Sequence, residues 1–148
     1  MSESQSKVDR DKYRASKLDI GDWKVLIVDD RKDNLLIARE ALSFHGADVK
    51  TAINGVEGLA VLTDYKPTLI LLDLSMPEMN GWEMHKKLRE NEETKNIPVI
   101  ALTAHVMAGD EEQVMDAGFD GYIPKPFSVA SIVLQIQKIL ASIGNKES

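Results

Sequence analysis

The sequence predicts an α/β fold, a three-layer sandwich in which five parallel strands form one sheet with helices on both faces. Five short apolar runs are separated by segments of helical spacing, so strand and helix alternate five times along the chain. The runs are apolar on consecutive residues, LILL at 69–72 most plainly, which suits strands covered on both faces. Strict alternation then requires parallel strands joined by right-handed crossovers.

The first run, KVLIV at 24–28, stops at two carboxylates, Asp29 and Asp30. The other four are expected over 47–52, 68–72, 98–102 and 119–123. Between them, Leu35, Ala38 and Leu42 form one face of a first helix, Val56, Leu59 and Ala60 of a second, and Met84 and Leu88 of a third. Ile132, Ile136, Ile139, Leu140 and Ile143 give the last helix its stripe. The fourth segment, 105–117, is interrupted by GDEEQ and should dock most loosely. Gly46, Gly118 and Gly144 each follow a helical stretch and are expected to end it in a left-handed conformation.

At 148 residues the chain has the size of one domain, and 43% hydrophobic residues suffice for a core. Residues 1–22 mix both charge signs with few apolar side chains and are expected to form a flexible extension. Residues 23–144 are then the folded domain and 145–148 a short tail. Eighteen basic against 24 acidic residues leave a net charge of −6, which argues against direct DNA binding and against anionic membranes. Cysteine is absent, excluding disulfides and thiol chemistry. No apolar run approaches the roughly 18 residues of a membrane span, and the charged N-terminus is no signal peptide, so the protein is expected in the cytoplasm.

In an open parallel sheet, ligands bind beyond the carboxyl ends of the strands. Standing there are Asp29 and Asp30 after the first strand, Asp73 after the third, Thr103 after the fourth and Lys125 after the fifth. Packing does not require such a set. Clustered carboxylates raise one another's pKa unless a cation is shared, and Mg²⁺ is commonly held by one or two carboxylates plus phosphate oxygens. An Asp beside such an ion, with a Lys and a hydroxyl opposite, suits attack on a phosphoryl group. Asp73 is the natural nucleophile.

These residues resemble the receiver domains of two-component response regulators. The resemblance rests on VDD at 28–30 with Asn34 following, LLDLSMPEMNG at 71–81, ALTA at 101–104 and KPF at 125–127, and it spans about 24–142. It implies a doubly wound, flavodoxin-like fold with strand order 2-1-3-4-5. It implies that Asp73 accepts a phosphoryl group from a histidine kinase or histidine phosphotransfer protein. Asp30 would bind Mg²⁺ directly and Asp29 largely through water, with Asp73 and the backbone carbonyl of Ser75 completing the ligands. Thr103 would bond the phosphoryl oxygens, Lys125 would pair with Asp73 or its phosphate, and Tyr122 occupies the position of the switch aromatic. The Lys125–Pro126 bond would be cis, and Ser75 and His105 fall on positions that tune phosphate lifetime. Such a protein is no enzyme in the ordinary sense, catalysing only its own phosphorylation and dephosphorylation. With the last helix ending near Ser148, the output is expected to pass to another protein.

Other classes fit less well. A haloacid-dehalogenase-type phosphotransferase needs a second Asp two residues after the nucleophile, where Ser75 stands. A nucleotide or flavin binder needs a glycine-rich loop after the first strand, where the chain has DDRKDN. A receiver-like binder that is never phosphorylated would not need the full residue set. Two histidines, His85 and His105, lack a second His or Cys at metal spacing, and His85 reads as a surface residue. Trp23 and Trp82 read as partly buried packing residues.

Overall fold

A computed structural model describes residues 18–104 and 109–147. The strands are β1 (Lys24–Val28), β2 (Asp48–Ala52), β3 (Leu69–Asp73), β4 (Val99–Thr103) and β5 (Gly121–Pro124). Between and after them run α1 (Lys32–Phe44), α2 (Gly55–Val61), α3 (Gly81–Glu90), α4 (Asp110–Asp116) and α5 (Val129–Glu147). All strand pairs are parallel and the sheet order is β2-β1-β3-β4-β5, as expected.

The central strands are apolar along their buried middle because each face of the sheet has its own core. Val25 and Ile27 of β1, Leu69 and Leu71 of β3, and Ile100 and Leu102 of β4 face α1 and α5, where Leu42, Ile132, Ile136 and Leu140 meet them. The alternate positions, Leu26, Val28, Ile70, Leu72, Val99 and Ala101, face the other way, against Met84 and Leu88 of α3 and Val114 of α4. Burying each large aliphatic side chain contributes roughly 1.5–3 kcal/mol, and a one-residue slip would exchange the two faces of a strand.

Several expectations need correction. Of the expected face of α2, Leu59 packs against the core, but Val56 is 52% exposed and Ala60 is exposed, and the fully buried positions are Gly55 and Gly58. The cause is close approach: a Cβ on Gly58 would lie 2.9 Å from Met84 Cε and 3.1 Å from Val28 Cγ2. Gly144 ends no helix, since α5 runs through it to Glu147, whereas Gly46 and Gly118 do follow helices, with φ of 93° and 102°. His85 is buried, not superficial, and its ring stacks on Phe119 with centroids 4.0 Å apart. Trp82 meets the same Phe119 edge-on, at 5.6 Å.

Residues 18–22, assigned from sequence to the extension, lie on the core. Leu18 and Ile20 pack against it, and Trp23 donates its indole N–H to the Leu18 carbonyl at 3.2 Å. In the fourth helical segment, Val114 is the buried residue of α4 and Met115 is 41% exposed; His105, Val106 and the two residues after them lie outside the described residues. Among the described residues, no helix is long and apolar enough to cross a membrane.

Candidate functional site

The sheet delivers its polar residues to one edge because each buried strand must stop where its chain emerges. β1 ends at Val28 and its next residue, Asp29, is fully buried, while Asp30 is exposed. β3 ends on Asp73, 2% exposed, and β4 on Thr103, 8% exposed. Lys125 follows β5, its backbone N–H donating to the Thr103 carbonyl at 2.8 Å, and the Lys125–Pro126 bond is cis.

The Lys125 ammonium bridges two carboxylates, 3.0 Å from Asp29 Oδ2 and 3.0 Å from Asp73 Oδ1. Sequence reasoning paired it with Asp73 alone. Asp73 Oδ1 also accepts the Ser75 backbone N–H at 3.1 Å, whereas Asp73 Oδ2 is buried with no hydrogen-bond partner among the described residues. Asp29 accepts the Arg31 backbone N–H at 2.9 Å and the Asn34 side-chain amide at 3.3 and 3.5 Å. Carboxylate oxygens of Asp29, Asp30 and Asp73 lie within 4.8 Å of one another.

Burial, then the Asp29 charge, push the Asp73 carboxyl up to about 6, and the Ser75 N–H and Lys125 offset only part of that. Burial pulls the Lys125 ammonium down, but Asp29 and Asp73 together outweigh it and its pKa is raised. Tyr122, half-buried on β5, has its hydroxyl pKa raised by a hydrogen bond to Glu111 of α4 and further by burial.

The Asp73 shift has a consequence for stability. The folded carboxyl holds its proton to about pH 6, while the unfolded one releases it near pH 4, so folded protein binds more protons in between. Stability in chelator should therefore fall as pH rises from about 4 to about 6, by a few kcal/mol at most. Denaturant titrations of wild type and Asp73→Asn across that range test this: the difference between them should shrink toward acid pH, and a constant difference would contradict it.

Two features escaped sequence reasoning. Gly81 opens α3 directly over the end of β3, where a Cβ would clash with the Asp73 carbonyl oxygen and fall 2.8 Å from Leu74 Cα. A glycine immediately after the Asn80 cap was the available signal, since the Asn80–Glu83 capping box already starts the helix without it. Asn34 contacts Asp29 from the first turn of α1, five residues on in sequence.

The loop from Asp73 to Gly81 is held at both ends. Ser75 begins it by donating to Asp73, and the capping box closes it, with the Glu83 N–H donating to Asn80 Oδ1 at 2.9 Å. In between, Glu78 adopts φ 66° and Ser75 is exposed. The opening of the site is thus bordered by backbone of β3–α3, the acidic pair after β1 and Lys125. A hard cation fits this donor set: buried and exposed carboxylate oxygens converge, and one buried oxygen lacks a hydrogen-bond donor among the described residues.

Known proteins share this fold. Residues 25–137 match the response regulator receiver domain family. The polar-differentiation response regulator DivK of Brucella anthropi is 38% identical over 116 residues, 78% of this chain and 94% of that protein. Among solved structures, chemotaxis response regulator CheY4 of Vibrio cholerae superposes with a TM-score of 0.74 at 29% identity, covering 79% of this chain and 98% of that one. The receiver domain of sensor histidine kinase PA1611 from Pseudomonas aeruginosa PAO1, described with a magnesium ion in its active-site cleft, gives a TM-score of 0.71 at 27% identity, covering 80% and 98%. The chain therefore belongs to the response regulator receiver family of two-component signalling.

Proposed function

We propose that this receiver domain accepts a phosphoryl group on Asp73 from a phosphohistidine, on a histidine kinase or histidine phosphotransfer protein, and thereby changes its binding to a downstream protein. The observation that supports this most is the buried, strand-end Asp73, one oxygen held by Lys125 and Ser75 and the other without a partner among the described residues. In the transfer, an Asp73 oxygen forms a bond to phosphorus as the P–N bond to the donor imidazole breaks, and that electron pair returns to the imidazole nitrogen.

Asp30, Asp29, Asp73 and the Ser75 carbonyl would hold Mg²⁺. When bound, the ion supplies positive charge against the phosphoryl oxygens. Lys125 supplies a second cation, and its reach to both Asp29 and Asp73 lets it follow the phosphoryl group without leaving the site. Thr103, at the end of β4, donates its hydroxyl to a phosphoryl oxygen. The domain acts on itself alone, gaining and losing this one group, and it works in the cytoplasm without contacting DNA or membrane. The receiver unit takes in residues 23–144 together with Leu18 and Ile20, which pack against its core, and the end of α5 at Glu147.

The output route runs through Tyr122. Its hydroxyl is engaged by Glu111, and α4 contributes a single buried residue, Val114, among those described, so little packing resists its movement. Movement of Thr103 toward the phosphate frees space into which Tyr122 turns, releasing Glu111 and shifting populations of the surface made by α4, β5 and α5. A protein partner reads that surface; the alignment to DivK already covers 94% of that protein, which leaves it little chain for a separate output domain. Amide chemical shifts recorded with and without a phosphoryl mimic test this. Changes should extend through α4 and β5 to the start of α5, and changes confined to residues touching Asp73 would contradict the route.

A further inference from the structure

We propose that Asn34 is a positioning residue that fixes the Asp29 carboxylate for the cation site. This rests on the reading of that site given above. Asp29 is wholly buried, and its two oxygens have three described donors: the Arg31 backbone N–H at 2.9 Å, Lys125 Nζ at 3.0 Å and the Asn34 amide at 3.3 and 3.5 Å. Only the last two are side chains, and they differ in one respect. Lys125 is shared with Asp73, 3.0 Å away, and is drawn toward whatever negative charge appears there.

When Lys125 shifts to a phosphoryl oxygen, Asp29 loses its cationic partner. Asn34 does not move with it, because it stands in the first turn of α1, between the exposed Asp33 and the buried Leu35 that anchors the helix to the core. The Asn34 amide therefore keeps Asp29 oriented in both states. Its chemistry suits that task. A neutral donor satisfies a buried carboxylate without adding a cation that would oppose Mg²⁺, whereas a Lys here would repel the ion and an Asp would add to the crowding of carboxylates. An apolar residue would leave Asp29 with a backbone N–H and a lysine that another group competes for. Groups that orient metal ligands commonly change metal affinity 10- to 100-fold when removed.

The test is Mg²⁺ titration by calorimetry into the full chain, without phosphodonor, for wild type, Asn34→Leu (same branching at Cγ, no donor) and Asn34→Gln (amide retained). We expect Asn34→Leu to weaken Mg²⁺ binding about tenfold and Asn34→Gln to recover part of the loss. In phosphorylation with a small-molecule donor, the half-saturating Mg²⁺ concentration should rise in parallel. Wild-type affinity in Asn34→Leu, or equal losses in the Leu and Gln variants, would overturn the role of Asn34 while leaving the cation site standing. Absence of Mg²⁺ binding by wild type would overturn the site itself, and with it this role.

Discussion

Asp73→Ala is expected to abolish stable phosphorylation while leaving the fold intact and, without metal, at least as stable as wild type. Asp73 is buried on the last position of β3, and burial together with the Asp29 charge raises its pKa to about 6, so near neutral pH the folded state carries an ionised carboxylate that its surroundings disfavour. Alanine removes that charge and leaves Lys125 paired with Asp29 at 3.0 Å. The same substitution removes one of three converging carboxylates and weakens the cation site. Mg²⁺ stabilises by RT ln(1 + [L]/Kd), roughly 2.7 kcal/mol at a hundredfold excess over Kd, and the variant should gain clearly less at equal Mg²⁺. Paired denaturant titrations in chelator and in millimolar-range Mg²⁺ read both effects. Equal metal-dependent gains in the two proteins would place Asp73 outside the ion site.

Gly81→Ala is expected to cost about 3 kcal/mol, the upper range for overpacking, because the atoms in the way are backbone. The added Cβ would clash with the Asp73 carbonyl oxygen and lie 2.9 Å from the Asp73 carbonyl carbon, and neither can rotate aside. The gain in helix propensity from Gly to Ala, about 1 kcal/mol, does not offset it. The denaturant midpoint should fall with little change in slope. Phosphorylation should slow as well, since the displaced residue is the proposed acceptor. Stability equal to or above wild type would show that β3 and α3 separate more easily than their contact implies.

The fold was legible because burial on both faces writes itself as consecutive apolar residues, and the strand ends were legible because polar residues interrupt those runs. Asp29, Asp73, Thr103 and Lys125 could thus be placed at one edge before any coordinates. Strand boundaries shifted by about a residue: β3 and β4 each extend to the polar residue that ends them, Asp73 and Thr103, because both are themselves buried.

What escaped prediction depended on contacts between distant segments. Val56 looked like a core residue by spacing, yet it points outward, and α2 sits so close to Val28 and Met84 at Gly58 that a side chain there would clash. A lone histidine reads as surface, but His85 is covered by Phe119, 34 positions later, and by the chain at Gly118, where a Cβ would come within 3.5 Å of its ring. Gly144 looked like a helix end, yet α5 continues through it to Glu147. The bridging position of Lys125 between Asp29 and Asp73, likewise, is a matter of side-chain reach across β1, β3 and β5 that no spacing encodes.

The measurement that bears most directly on the central claim is intact mass of the wild-type chain after incubation with Mg²⁺ and a small-molecule phosphodonor, followed by mapping of the modified residue. The account predicts one added phosphoryl group, dependent on Mg²⁺ and located on Asp73. No mass increase under conditions that label another receiver domain, or a label on any other residue, would contradict it.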